Sequence, residues 1–426
     1  MNIKTVLSRL WSSPPLRKKL LISAFLLIVF RLVAHIPASG VDHQALRTLF
    51  LQSPFLSLLD VFSGGTLANF SILALGLNPY INASIVIQLL TLVFPALEEL
   101  QKEGEPGRAK LNQYTRVLTV PLAAMQAVGM YFLLNSQGVV ESLNPVSLFV
   151  LAATMTAGTM FSVWIGELIT EYGIGNGISL LIFAGIVGRI PVVASQTFLT
   201  SGAEDLFPVI IFSLVSVVVI ASVVFMNEAI RRVNVQYARR AVRGGTVAQT
   251  SHLPLRLNQA GVIPIIFAVS LVLAPTMISQ FLAKVPNPQV SYLAGVLSSW
   301  FQPQSVTYET MYFLLVVGFT FFYTAVIFNP TKIADEIKKH GGFIPGIRPG
   351  ESTAKYLNYV LMRITLVGAT FLGLIAILPS IVQGISGVTN LAVGGTGILI
   401  VVSVVLETVK KLEAQLVMRN YDKFLQ

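Results

Sequence analysis

The sequence predicts an all-α membrane protein with ten transmembrane helices in two pseudo-symmetric five-helix halves and one re-entrant half-helix. Its composition gives the class, because 54% of the 426 residues are hydrophobic and only 11% are charged, against about 25% charged residues in soluble domains. Ten apolar runs appear when the chain is scanned with a window of about 19 residues. The basic residues fall almost entirely in alternate connections between these runs, as in a chain that crosses a membrane repeatedly.

The apolar runs define the predicted helices in order. The first run carries Arg31 and ends at Pro37 without a small-residue cleavage pattern, so we interpret it as a retained span and not as a signal peptide. A shorter and more polar stretch, residues 56–69, precedes the second run, and we interpret it as a half-helix that re-enters the protein. The ten runs are residues 20–36, 72–97, 117–134, 146–165, 178–193, 207–226, 260–282, 311–328, 364–382 and 396–406.

The basic residues orient these spans. Of the 29 Lys and Arg residues, all but Arg31, Arg47, Arg189 and Lys284 lie before the first run, after the tenth, or in the connections that follow the second, sixth and eighth runs. The positive-inside rule therefore predicts that both termini are cytoplasmic. Five plus five spans are compatible with two halves related by an axis in the membrane plane.

We interpret the whole chain, residues 1–426, as one membrane domain without independent linkers. It divides into a cytoplasmic N-terminus at 1–19, a first half at 20–193, a second half at 207–406, projecting cytoplasmic loops at 227–258 and 329–363, and a cytoplasmic tail at 407–426.

Residues 64–90 form the most informative segment, because a half-polar, glycine-led stretch runs without a charge into a full-length apolar helix. Backbone groups in hydrocarbon must be hydrogen-bonded within their own segment. Irregular chain at membrane depth therefore occurs only where protein shields it or where it lines a water-filled cavity. The segment predicts that the protein encloses a cavity.

The first cytoplasmic loop is strongly basic, with six arginines against the single acid Glu228. Such a loop attracts polyanions, although topology and anionic lipid alone also explain juxtamembrane arginines. The loop projects well beyond a headgroup layer, and its alternating RRVNVQYARR pattern predicts a β-ribbon ending at a Gly244-Gly245 turn. These features favour contact with ribosomal RNA or an acidic protein face. The candidate residues are Arg239, Arg240, Arg243 and Arg256.

In the second loop, Gly346 and Pro349 flank Ile347 and Arg348. This turn presents one guanidinium on a stiff backbone, which favours a partner contact for Arg348.

Two apolar pairs share a four-residue spacing that places both side chains on one helix face. Leu77 and Ile81 lie beside Pro79, and Ile178 and Ile182 follow the two glycines that flank Asn176. Such pairs are also typical of helix packing or lipid contact, and glycines at the start of a span are typical of close helix packing.

Several classes of function lack their required residues. The chain has no cysteine, and its four histidines do not form a pair at metal-binding spacing, so we expect neither a metal nor another cofactor. Mid-span carboxylates are nearly absent, which disfavours the main alternative, a secondary transporter of small solutes. An intramembrane enzyme would need a nucleophile–base or metal constellation that the sequence does not supply, so we expect no enzymatic activity.

Five long strings together resemble bacterial SecY, the channel subunit of the Sec protein translocon. They are FSGGTLANFSILALGLNPYINASIVIQLL, KEGEPGRAKLNQYTR, GELITEYGIGNGISLLIFAGIV, SHLPLRLNQAGVIPIIF and FNPTKIADEIKKHGGFIPGIRPGESTAKYL. The resemblance extends from about residue 17 to residue 406.

This resemblance implies a passive, hourglass-shaped channel that translocates unfolded secretory polypeptides and inserts membrane proteins. The implied lateral gate lies between spans two, three, seven and eight and includes Gln88 and Gln126. The implied pore ring consists of Leu77, Ile81, Ile178, Ile182, Ile266 and Ile400, with Leu77 where the family more often has isoleucine and with Ile265 beside Ile266. The implied plug consists of Asp60, Val61, Phe62, Ser63, Gly64, Gly65, Thr66, Leu67, Ala68, Asn69 and Phe70.

The resemblance also implies partners and a location. The small membrane proteins SecE and SecG would accompany the channel, and the SecA ATPase or the ribosome would drive it. Its transient contacts would be signal peptides, nascent polypeptides and membrane lipid. The location would be the bacterial plasma membrane.

Overall fold

The computed structural model describes residues 13–38, 46, 66–67, 69–136, 140, 142–200, 206–240, 246–282, 287–302, 305–386 and 395–424. Helices dominate these residues. The first group is α1 (Pro14–Val33), α2 (Asn78–Val93), α3 (Pro95–Lys102), α4 (Glu105–Ser136), α5 (Pro145–Tyr172) and α6 (Gly177–Thr200). The second group is α7 (Leu206–Glu228), α8 (Ile263–Leu282), α9 (Pro288–Trp300), α10 (Val306–Ile327), α11 (Pro330–Lys339), α12 (Glu351–Ser386) and α13 (Gly395–Phe424). The strands are β1 (Ile230–Arg240), β2 (Thr246–Arg256) and β3 (Gly342–Phe343).

Each of the ten predicted apolar runs is centred on one of these helices. Over the described residues, four helices are long and apolar enough to cross a membrane, and a fifth is counted if the bent pair α2–α3 is one span. Ten membrane crossings therefore remain a prediction.

The helix bounds differ from the apolar runs in several places. Helices α4 and α12 begin at Glu105 and Glu351, well before their apolar parts, and α13 continues to Phe424, so the predicted tail is largely helical. Helix α9 was not predicted at all. The helices extend beyond the apolar runs because helix formation depends on intrinsic helix propensity, which is as high for charged residues such as Lys and Glu as for many apolar ones. Hydropathy locates the part of a helix in lipid and not its ends.

The second predicted run is not one helix. Residues 72–77 are turns, and the chain bends by 103° between α2 and α3. Pro95 follows the bend, and a residue before proline is forced out of the helical region. Phe94 accordingly has φ −104° and ψ 111°.

The helices pack within two groups, which meet along a seam at α8 and at a second contact between α13 and α6. In the first group, α4 packs against α2 and α5, while α1 and α6 pack against α5. In the second group, α10 packs between α8 and α12, and α13 packs against α7 and α12. Helix α8 contacts α2 and α4, and α13 contacts α6. One continuous apolar core extends across both groups.

The two strands of the predicted β-ribbon are confirmed, while its predicted turn at Gly244-Gly245 lies outside the described residues. Strands β1 and β2 pair antiparallel along their whole length, from Ile230 opposite Arg256 to Arg240 opposite Thr246. Strand β3 from the second loop pairs with the other edge of β1, giving the order β2-β1-β3. A second, smaller apolar core lies beneath this sheet and includes Val233, Val235, Leu255, Ile337, Ile344 and Leu357. The described parts of the two predicted cytoplasmic loops therefore share one sheet and one core, and we call these loops the platform (residues 230–256 and 330–357).

Candidate pore and cytoplasmic contact surface

The chain before α2 is irregular and buried, as its sequence predicts. Among its described residues, Phe70, Ser71 and Leu73 are fully buried and Thr66 is almost so. Its backbone is tied to the end of α1, because Ala38 N donates to Phe70 O at 2.8 Å and Ile72 N donates to Ile36 O at 3.0 Å. Other protein groups, and not lipid, thus provide hydrogen bonds to the backbone of this non-helical segment.

The backbone of this segment also packs directly against the backbone of α5, which helps to shield it from lipid. A Cβ atom added to Gly158 on α5 would lie 2.2 Å from the carbonyl oxygen of Ile72. Only glycine at this position lets the irregular segment lie directly against α5. The Thr66 hydroxyl also donates to Leu73 O at 2.8 Å, which ties the first described part of the segment to its middle.

The predicted half-helix falls mainly outside the described residues, because residues 56–65 and 68 are not among them. Thr66, Leu67, Asn69 and Phe70 lie in turns, so the helix predicted to reach Phe70 does not extend over them. Phe70 has φ 41°, a left-handed conformation that is costly for a bulky residue. Packing and the hydrogen bonds on both sides of Phe70 hold it there.

The six predicted ring residues occupy equivalent places in four helices. Leu77 precedes α2 by one residue, and the others lie within the first two turns of α2, α6, α8 and α13. All belong to the continuous core or pack against it. The buried members, with exposed fractions between 1% and 9%, are Leu77, Ile81, Ile182, Ile266 and Ile400, whereas Ile178 is half-buried.

Three of these four helices begin in the same way. Gly76, Gly175 and Gly261 have φ values of 55°, 83° and 65°, and each lies two residues before the first residue of α2, α6 or α8. Such φ values are readily adopted only by glycine. The chain is therefore built to turn sharply and start a new helix at each of these ring positions.

One of the two glycines around Asn176 also packs helices closely. A Cβ atom on Gly177 would lie 1.8 Å from the carbonyl oxygen of Gly166, and one on Gly166 would lie 2.6 Å from Cδ1 of Ile178. The close-packing interpretation is confirmed for Gly177, whereas a Cβ atom on Gly175 would lie at an ordinary 3.5 Å from Thr408 Oγ1 and the positive φ favours glycine there. Part of the Ile178 side chain therefore packs on α5, while Ile182 is buried one turn later.

The two predicted gate residues lie on neighbouring helices of the first group. Gln88 on α2 and Gln126 on α4 are both half-buried. The Gln88 amide nitrogen donates to the Ser84 hydroxyl at 3.2 Å, whereas its buried Oε1 atom has no hydrogen-bond partner. Because α8 packs against both helices, an unsatisfied acceptor lies on a helix of the seam between the two groups.

A polar network that the sequence did not predict joins the end of α7 and the chain just after β2 to the interior of α13. Asn227 donates to the Ser403 hydroxyl at 3.1 Å and accepts from the Asn258 amide at 2.9 Å. Lys410 on α13 pairs with Glu228 at 2.7 Å. The only signal in the sequence was polarity at the end of an apolar run, which also describes any exposed helix end.

The predicted basic contact residues belong to the platform. Arg256 ends β2 and Arg348 follows β3, and both are exposed. The turn that presents Arg348 is rigid, since Ile347 N donates to Ile344 O at 3.0 Å and Thr353 donates to Arg348 O at 2.9 Å. Arg239 and Arg240 lie on β1 with side chains outside the described set, and Arg243 lies wholly outside it.

The described residues do not include a group of three or more His, Asp or Glu side chains that could hold a metal ion. The arrangement instead offers buried aliphatic side chains near the starts of four helices and a folded sheet with exposed arginines.

Comparison with known proteins identifies this arrangement. A family model described as SecY matches residues 71–409. A protein translocase subunit SecY from Streptomyces scabiei is 42% identical over 442 residues, which cover 99% of this chain and all of the relative. The chain belongs to the SecY family. The resemblance given by the sequence motifs is thereby confirmed over nearly the whole chain.

Solved structures of the SecY family and its relatives share the fold. A SecY structure described with a plug domain that stabilises the closed translocation channel has a TM-score of 0.64 at 19% identity, over 93% of this chain and 92% of that one. Sec61 in a canine ribosome–channel complex has a TM-score of 0.60 at 17% identity, with the same coverage. This chain is therefore a SecY-family protein translocase subunit with the helical SecY/Sec61 channel fold.

Proposed function

We propose that this protein is the passive channel subunit through which unfolded secretory polypeptides cross, and membrane proteins enter, the bacterial plasma membrane. The observation that carries the proposal is the position of the six ring residues, which begin four helices and join one apolar core. Branched aliphatic side chains form a dewetted constriction against ions and do not offer hydrogen bonds that would retain polar sequence.

The directions of the four ring helices support an hourglass shape. With ten spans and a cytoplasmic N-terminus, the chain direction of α2 and α13 is toward the cytoplasm, whereas that of α6 and α8 is toward the outer face. If their first turns meet at one level, helices of both directions begin deep in the membrane. That arrangement leaves a funnel on each side of the ring. The plug, residues 60–70, would close the outer funnel. In the related SecY structure the plug domain stabilises the closed state of the channel and maintains a membrane seal.

The lateral gate would be the seam where α8 meets α2 and α4. An unsatisfied Gln88 acceptor makes the closed seam less stable, since an interhelical side-chain hydrogen bond in a membrane contributes only about 0.6 kcal/mol on average and this atom lacks even that. A signal peptide could then separate the helices at modest cost.

The platform would bind the machines that drive transport. SecE and SecG would be the membrane partners, while SecA and the ribosome, including its RNA, would contact Arg239, Arg240, Arg243, Arg256 and Arg348. The related Sec61 forms a ribosome–channel complex. The chain itself would carry out no chemistry.

Reconstitution tests this function directly. The protein, purified with its co-purifying membrane subunits and placed in liposomes, should move an unfolded preprotein into a protease-protected lumen when SecA and ATP are added. A secondary transporter of small solutes would instead accumulate a solute in response to an ion gradient without SecA. Failure of preprotein transport together with gradient-driven solute uptake would favour that alternative.

A further inference from the structure

A groove of about 570 Å³ opens where the end of α7, the start of β1 and α12 meet. Phe225, Ile364 and Val367 form its apolar walls, and Arg231 and Arg363 contribute two guanidinium groups. Its lining residues include none of the predicted ring and gate residues and no part of the turn at Arg348.

The charge of the groove is not neutralised by the protein. The acid that lines it, Glu228, pairs with Lys410 on α13 at 2.7 Å. Arg231 and Arg363 are exposed, and neither has an acidic partner among the described residues. The Arg363 guanidinium stacks on Tyr359, with 4.2 Å between its central carbon and the ring centroid. This stacking holds one positive group in place without reducing its charge.

Polarity changes in the same direction along both walls. Phe225 lies one turn before Glu228 on α7 and is 73% exposed, while Val367 lies one turn after Arg363 on α12 and is 55% exposed. With the proposed orientation, both apolar residues lie on the membrane side of the arginines. A ligand that fits must have an anionic head and an apolar body in this order.

We propose that this groove binds one anionic phospholipid of the cytoplasmic leaflet. Arg231 and Arg363 hold the phosphodiester, since the guanidinium donor pattern matches phosphate oxygens, and the acyl chains lie along Phe225 and Val367. Basic pockets between membrane helices on the cytoplasmic side are suited to anionic headgroups. The choice of leaflet rests on the proposed orientation, but binding of the lipid does not.

Lipid binding to the purified, delipidated complex tests the proposal. Native mass spectrometry should show phosphatidylglycerol bound and phosphatidylcholine not bound at equal concentration. The double variant Arg231→Gln, Arg363→Gln should weaken phosphatidylglycerol binding about thirtyfold, since each basic residue at an anionic surface contributes about fivefold. A matched control, Arg232→Gln with Lys339→Gln, removes the same charge from exposed positions that do not line the groove, and it should bind phosphatidylglycerol like the unmodified protein.

A photo-reactive phenylalanine analogue in place of Phe225 identifies the occupant in the intact complex. A phospholipid adduct is expected. An adduct with a partner subunit, equal binding of the two lipids, unchanged binding by the double variant, or full competition by glycerol phosphate would each overturn the proposal. The last result would show a site for free anions. Because none of these measurements involves transport, they can fail while the proposed channel function holds.

Discussion

Ile400 is the predicted ring residue whose substitution distinguishes a role in closing the pore from simple packing. It is 1% exposed and lies in the second turn of α13. Ile400→Asn places an amide where branched carbons would close the pore, so water can wet the constriction and the closed state loses stability. We expect ion leakage in single-channel recordings of purified protein, together with export of substrates that have defective signal sequences.

Val405→Asn is the matched control on the same helix. Val405 is 43% exposed, so the same amide there meets lipid or a partner and mainly lowers the folded yield, because it lacks a hydrogen-bond partner. Its conductance baseline should stay closed. If Ile400→Asn also gave a normal closed baseline with poor yield, Ile400 would be a packing residue and not part of a ring.

Gly261 tests whether the turn before a ring helix requires glycine. Its φ is 65°, and a Cβ atom at this position would meet no atom within 4 Å. Gly261→Ala therefore isolates backbone strain from steric clash, and the left-handed conformation should cost about 1 kcal/mol. Thermal unfolding in detergent should show a lower midpoint than that of the unmodified protein.

Gly295 in α9 provides the contrast. It is equally free of contacts but lies in a helix interior, where Ala is favoured over Gly by about 1 kcal/mol. Gly295→Ala should leave the midpoint unchanged or raise it. Equal effects of the two substitutions would mean that the turn at Gly261 tolerates any residue.

At the level of elements, the platform couples two loops that are separated in sequence by residues 257–329. Strand β3 pairs with β1 at Gln236 and Tyr237. Gly342 allows this, because its Cβ atom would lie 2.7 Å from the Tyr237 ring and 3.1 Å from Ile337 O. Gly342→Ala should force β3 away from β1. Hydrogen exchange should then rise together in residues 230–237 and 342–348.

Gly318→Ala is the control for that experiment, since a Cβ atom there meets nothing within 4 Å. It should leave exchange in the platform unchanged. Faster exchange confined to residues 342–348 would show that the ribbon is stable without the second loop, and that the two surfaces respond to partners independently.

The two parts of the platform should also differ in what they bind. Arg348→Glu reverses one rigidly presented charge, so SecA-driven transport should fall while ribosome affinity changes little. Reversal of Arg239, Arg240 and Arg243 should weaken ribosome binding and reduce its dependence on salt, because each lost phosphate contact removes a released counterion. If neither salt nor these charge reversals changed the affinity for ribosomes, the arginines of the ribbon would serve only membrane topology and lipid contact.

Sequence patterns predicted those elements whose formation depends on the burial of apolar side chains or backbone, because the same burial produces the pattern. Alternation in VNVQY predicted the ribbon because Val233 and Val235 are buried on one face. The buried irregular chain before α2 was predicted because a membrane excludes exposed backbone. By contrast, the β1–β3 pairing, the Asn227 network and α9 depend on contacts between distant segments or on local propensity, and hydropathy contains no information on either.

At the scale of the whole molecule, polar interactions strengthen each helix group internally. Arg116 on α4 pairs with Glu167 on α5 at 2.6 Å in the first group, and Glu228 pairs with Lys410 in the second. The seam where α8 meets α2 and α4 instead involves α2, a helix whose Gln88 oxygen is buried and lacks a hydrogen-bond partner. Two internally linked bodies joined by a weaker seam should separate as units.

A reversible cross-link across the seam tests this separation. The chain has no native cysteine, so a cysteine at Gln88 and another on the face of α8 that packs against α2 can react only with each other, provided that their Cα atoms lie within about 7 Å. Oxidation should stop export because the gate cannot part, and reduction should restore it. A pair between α2 and α4 provides the control, since both helices belong to one group and their cross-link should leave export unchanged. Undiminished export through a fully cross-linked α2–α8 seam would contradict the lateral gate, because a polypeptide could then reach lipid only by another route.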